Sequence, residues 1–155
     1  ALLEVYPDAR LVQTHRDPLR IVSSLASMLP TLRSAYSRAV EPHAVAREWS
    51  RNCASALDAS VASRRAGAIR PEQICDIQFR AFMQDPVGEV RRLYAQFDIP
   101  FSADFETAIR HYLAENPASK HGGHRHAFAD TGLDPAQERR KVRDYQDFFA
   151  VPSED

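Results

Sequence analysis

The 155-residue chain has the length of one domain or a large piece of one, and its 44% hydrophobic content can supply a core. A net charge of −1 gives no global positive field to draw it to nucleic acid or an anionic membrane, so any anion must be bound by a local cluster. No apolar run reaches the length of a membrane span. The two cysteines, Cys53 and Cys75, lack the CxxC spacing of a redox or zinc site and read as buried free thiols, which points to a reducing cytoplasm.

The chain opens at Ala1 inside an apolar segment (Leu2, Leu3, Val5, Tyr6) that reads as the tail of a helix, so a truncated or processed polypeptide is expected. Pro7 and Asp8 signal a turn, and Ala9 to His15 reads as a short strand. Asp17-Pro18 then fits a helix start, aspartate at the N-cap and proline at the first helical position. Leu19, Val22, Leu25 and Leu29 recur at three- and four-residue steps, and Pro30 is expected to end or bend that helix. Thr31 to Glu41 reads as a loop or irregular helix. From Pro42 to about Arg65 the spacing of Val45, Trp49, Cys53, Leu57 and Val61 predicts a long amphipathic helix, stopped by Gly67.

A second strand is expected within Ile69 to Phe79, around Gln73 to Ile77. Asp85-Pro86 repeats the cap-and-proline start, and Val87, Val90, Leu93, Tyr94 and Phe97 continue it as a helix that Ile99-Pro100 breaks. Ala103 to Glu115 forms a further helix, and Asn116 to Thr131 a basic, glycine-containing loop. Asp134-Pro135 opens a last helix that runs to about Phe149. Strands alternating with helices imply an α/β fold with a mostly parallel sheet, yet two strands are fewer than a complete doubly wound sheet carries.

Arg16 carries the clearest chemistry. In open parallel sheets ligands bind beyond the carboxyl ends of the strands, where helices begin, and Arg16 stands there with a planar fork of donors suited to a phosphate. Ser24, eight residues on, offers a hydroxyl to the same ligand if the turn folds back. The bland alternative is that Arg16 pairs with Asp17 or another carboxylate while the serines pack. Lys120 and Arg125 flank Gly122 and Gly123, which lets backbone amides approach an anion closely; a solvated basic loop is the alternative there. His121, His124 and His126, with His111 nearby, match no standard zinc spacing, and no metal is expected.

The string YPDARLVQTHRDPLRIVSSL resembles the 3′-phosphate-binding segment of sulfotransferases that use 3′-phosphoadenosine 5′-phosphosulfate (PAPS), and is most similar to the bacterial-type branch with HRDP at the strand end. The resemblance implies that Arg16 and Ser24 grip the 3′-phosphate, with Ser23 as the substitute if the register differs. ICDIQFRAFMQDPVGEVRRLYAQFDIP looks like the later strand-loop-helix of that family, where an aromatic hydroxyl touches the adenine; Phe79 stands there without a hydroxyl, and a core role is the alternative. NPASKHGGHRHAF lies where the family places the loop that closes over the nucleotide, which assigns Lys120, His121 and Gly122 to the phosphate, although the better-known form of that loop reads Arg-Lys-Gly.

By this resemblance the fold is a P-loop NTPase-like α/β sheet with helices, present here as an incomplete, helix-rich C-terminal portion of a single domain spanning residues 1–155. The implied reaction moves a sulfuryl group from PAPS, leaving adenosine 3′,5′-bisphosphate (PAP), to a small-molecule or carbohydrate acceptor hydroxyl or amine. No Gly-rich phosphate loop precedes Arg16, so the 5′-phosphosulfate loop and the catalytic base are expected elsewhere, and no catalytic residue is assigned. Two other readings stand beside it. One is a P-loop kinase-like fragment, for which the only arginine cluster is Arg139, Arg140 and Arg143, read as the exposed face of the last helix. The other is a non-catalytic helical module whose Trp49 helix and last helix form the interface of a homo-oligomer.

Overall fold

In the computed structural model, which describes residues 2–117, Lys120 and residues 126–154, two short strands pair in parallel. Strand β1 (Leu11–His15) aligns with β2 (Ile74–Gln78), with Leu11 opposite Ile74 and His15 opposite Gln78. A parallel pair needs a long crossover, and the intervening chain carries α2 (Pro18–Ser34) and α3 (Pro42–Arg65). The chain divides into two compact units, one of residues 1–15 and 69–124 and the other of residues 16–68 and 125–155.

The first unit holds the strand pair, a short α1 (Leu2–Val5), α4 (Phe79–Gln84), α5 (Pro86–Gln96) and α6 (Ala103–Glu115). Its core is Cys75, Ile77 and Phe97, against which Phe82, Leu93 and Ile99 pack. The β2 pattern explains this packing: Ile74, Cys75 and Ile77 are buried and Asp76 is exposed, so most of the strand faces apolar neighbours. Helix α5 starts as the sequence predicts, the Asp85 side chain accepting from the Gly88 N–H at 2.9 Å. Helix α4 follows β2 directly. With only six residues it is too short for an apolar period to show in the sequence.

The second unit packs α2, α3, α7 (Pro135–Lys141) and α8 (Arg143–Phe149) with a 3-10 turn at Phe128–Thr131. Val61, Tyr145 and Val151 form its core with Leu57 and Phe149. Helix α3 spans the predicted residues and ends as predicted, with Gly67 at φ +64° just past the Ala66 cap. Helix α2, by contrast, does not stop at Pro30 but runs on to Ser34. Proline removes one hydrogen bond from a helix interior, and two 2.8 Å hydrogen bonds from Arg33 to Glu48 of α3 tie down the turn that follows. The last helix also departs from expectation. It is two helices, parted at Val142, whose side chain is buried and whose backbone (φ −107°, ψ 7°) leaves the helical region. Among the described residues no helix is long and apolar enough to cross a membrane.

Candidate anion-binding site

The segment His15-Arg16-Asp17-Pro18 leaves the end of β1 and enters α2. His15 is 1% exposed, and its Nε2 lies 2.9 Å from Oδ1 of Asp76 on the neighbouring strand. That burial takes it out of reach of a substrate. Asp17 adopts non-helical backbone angles and accepts from the Leu19 N–H at 3.0 Å, the N-cap that an Asp-Pro pair implies.

A buried carboxylate needs partners, because losing its hydration is costly. Asp17 is 0% exposed and has three sets of them. Besides Leu19, the Arg139 guanidinium binds it through both terminal nitrogens, with Nη2 3.0 Å from Oδ2, and the Glu154 N–H donates to Oδ2 at 2.7 Å. Burial pushes the Asp17 carboxyl up, but the hydrogen bonds from Arg139, Glu154 and Leu19 outweigh that and hold it below its ordinary value of 3.8. Arg139 therefore does not belong to an exposed helix face, as its sequence position suggests. Arg140 and Arg143 are exposed, whereas Arg139 turns inward onto Asp17. Its charge compensates a carboxylate 122 residues away, which no local pattern encodes.

With Asp17 committed to Arg139, the Arg16 fork takes a different carboxylate. Arg16 Nε lies 3.1 and 3.4 Å from the two oxygens of Glu154, and Nη2 lies 3.1 Å from Oε2. Arg20, one helical turn on, brings its Nε within 3.9 Å of the same Oε2. Two arginines thus converge on one anionic group beside the N-terminus of α2, where the helix dipole also favours negative charge.

The two serines differ. Ser23 is 2% exposed; its hydroxyl donates to the Arg20 carbonyl at 3.1 Å and shares a hydrogen bond with Nδ1 of His126 at 2.8 Å. Ser24 is half-buried and its hydroxyl has no hydrogen-bond partner among the described residues. The remaining sequence-derived positions belong to the first unit. Phe79 opens α4 and is half-buried. Lys120 is exposed, its Nζ donating to Asn116 Oδ1 at 2.9 Å. His121 and Gly122 lie outside the described residues, as does His124. Among the described residues no group of His, Cys, Asp or Glu is placed to hold a metal ion, and His111 instead sits 3.3 Å from Glu115.

Three residues that shape this site are not marked as such in the sequence: Arg20, Arg139 and Glu154. Only Arg20 left a local signal, lying four residues before Ser24 on α2, the spacing that puts helical side chains on one face.

Comparison with known proteins gives these residues a setting. A model described as the sulfotransferase family matches residues 1–103. Among solved structures, the sulfotransferase STF9 from Mycobacterium avium superposes with a TM-score of 0.84 at 25% identity, over 97% of this chain and 38% of that one. The sulfotransferase STF1 from Mycobacterium tuberculosis H37Rv gives 0.68 at 21% identity, over 90% of this chain and 34% of that one, a likeness of fold. The chain thus spans little more than a third of the length of either. No curated protein matches it.

Proposed function

This chain belongs to the sulfotransferase family, and we propose that Arg16 and Ser24 hold the 3′-phosphate of PAPS while the complete protein moves its sulfuryl group to an acceptor hydroxyl or amine. The observation that carries this reading is the family match, which spans both Arg16 and Ser24. The Arg16 fork itself, at the start of α2, is closed on the Glu154 carboxylate, the carboxylate pairing of the bland alternative, and the phosphate has to displace it. Ser24 adds an uncommitted hydroxyl on that helix, whereas the Ser23 hydroxyl is spent on Arg20 and His126. Ser23 therefore takes the role of second choice. Phe79, Lys120, His121 and Gly122 enter the proposal on their match to the family's motifs, Phe79 by ring contact with the adenine and the other three at the phosphate.

In the reaction, the acceptor oxygen or nitrogen attacks sulfur, its proton passes to a base, and the bond from sulfur to the 5′-phosphate oxygen breaks to release PAP. Charge develops on that bridging oxygen and needs cationic or N–H donors. The pair Arg16 and Ser24 serves the opposite end of the nucleotide and so governs donor binding rather than sulfuryl transfer. His15 does not supply the base, being buried against Asp76. We assign the base and the 5′-phosphosulfate loop to polypeptide beyond these residues, since no Gly-rich phosphate loop precedes Arg16. The acceptor is a small molecule or carbohydrate, and the two free thiols suit a reducing cytoplasm.

Calorimetric titration with PAP and with AMP tests the reading. Binding that favours PAP over AMP, and loses that preference in Arg16→Ala, is the expected result. Equal affinity for the two nucleotides in the unaltered chain would sink it, and with it the distinction from a kinase-like fragment or an interaction module.

A further inference from the structure

The way Glu154 fills the Arg16 fork leaves one donor unsatisfied. Arg16 donates to both carboxylate oxygens. The Nε of Arg20 is buried and has no hydrogen-bond partner among the described residues, since the nearest Glu154 oxygen, at 3.9 Å, is beyond hydrogen-bond reach. A buried N–H left without an acceptor is costly. Here it also lies beside an anion that Arg16 already binds.

We infer that this site is shaped for a tetrahedral oxyanion, a phosphomonoester, and that Arg20 is its third point of attachment. The inference rests on the reading that Arg16 holds a ligand phosphate, and it adds a residue to that site. A carboxylate is planar, and the Glu154 group that meets the Arg16 fork leaves its nearest oxygen 3.9 Å from the Arg20 Nε. A phosphomonoester presents three terminal oxygens in three dimensions. Two of them replace the Glu154 pair on Arg16, and the third is left for Arg20. The charge agrees, since a group of about −1.5 to −2 at neutral pH is better matched by two guanidinium groups than a carboxylate is. Arg20 is also placed to organise the site, because its carbonyl accepts from Ser23 and it shares a helical stripe with Ser24, whose hydroxyl is uncommitted. Glu154 is thus an imperfect stand-in that shows where the anion sits and which donor it fails to satisfy.

The test measures the affinities of PAP, AMP and inorganic phosphate for the 155-residue chain and for Arg20→Met, which keeps the apolar stem. The expected result is a loss of about tenfold for PAP and for phosphate, the scale of one charge-assisted hydrogen bond, with AMP unchanged within about twofold. Arg20→Lys, which keeps charge and stem but has no donor at the Nε position, guards against misfolding and loses about threefold or more on the same scale. Unchanged PAP and phosphate affinity in either variant overturns the inference, as does an equal loss for PAP and AMP, the mark of a merely structural role. If the unaltered chain fails to prefer PAP over AMP, the donor reading falls, and the phosphate arm alone then decides the role of Arg20. Absence of phosphate binding there overturns the inference too.

Discussion

The Glu154 N–H donates to Oδ2 of Asp17 at 2.7 Å, and Asp17 Oδ1 in turn accepts from the Leu19 N–H that opens α2. One buried carboxylate therefore positions both the start of the helix that carries Arg20 and the backbone of the residue whose side chain closes on Arg16. Glu154 competes with any anionic ligand as an intramolecular partner. Replacing it with glutamine removes the competing charge and keeps the backbone contact to Asp17. We expect Glu154→Gln to bind PAP about threefold to tenfold more tightly, since a partly exposed ion pair contributes about 1 kcal/mol or less. Titration calorimetry at low and high salt checks this, and the gain shrinks as salt screens the pair. Weaker binding would mean that Glu154 supports the site instead of blocking it.

Asp17 and Arg139 make the acid stability of the second unit predictable. The folded-state pKa of Asp17 is depressed, so its contribution is fully present above the ordinary carboxylate value of 3.8 and is lost as pH falls through the lower folded value. Chemical denaturation between pH 7 and pH 3 will therefore show stability falling at the acid end, with a shallower fall in Asp17→Asn. Arg139→Met leaves the buried carboxylate without its main cation and costs about 3 kcal/mol at neutral pH. An Arg139→Met protein as stable as the unaltered chain would show that the pair is not what holds Asp17.

What the sequence made legible follows the range of each interaction. The two strands, the bounds of α3 and α6, the aspartate caps at Asp17 and Asp85 and the Gly67 stop are written in windows of a few residues, and reading those windows recovers them. The position of Arg16 at a strand end was equally plain. Its partner was not, because Glu154 lies 138 residues away, and the inward turn of Arg139 depends on a carboxylate just as remote. Of the two outcomes expected at Pro30, an end or a bend, the end does not occur, for a related reason. The local cost of Pro30 is real, but α2 packs along α3, and the Arg33–Glu48 pair joins the two helices just beyond the proline. The break at Val142 falls at a buried residue, and the apolar spacing does not register it.

The cysteines give a prediction independent of any ligand. Cys75 is 0% exposed in the core of the first unit, and burial pushes the half-buried Cys53 thiol above its ordinary value of 9.0. Thiolate is the reactive form, so a raised pKa and burial both slow attack. Iodoacetamide at pH 7.5 should label the native chain at least about tenfold more slowly than the chain in denaturant. Rapid native labelling of Cys53, read by mass spectrometry, would contradict its placement.

The His15–Asp76 contact permits the most direct test of how the first unit is held. His15 is 1% exposed, so its ring both fills space and presents nitrogens that must find partners. Nε2 meets Asp76 Oδ1 across the parallel strand pair at 2.9 Å, a bond between residues 61 apart in sequence that helps fix the register of β1 against β2. His15→Ala leaves a cavity and costs about 3 kcal/mol. Asp76→Ala leaves a buried ring nitrogen short of its partner and costs about 1–3 kcal/mol. Because both variants break the same bond, the double variant should be less destabilised than the sum of the two, by a coupling of about 1 kcal/mol. Urea denaturation of the four chains measures that coupling directly. Strict additivity would show that the two residues stabilise the sheet separately, and that the register of β1 rests on its backbone hydrogen bonds and apolar side chains instead.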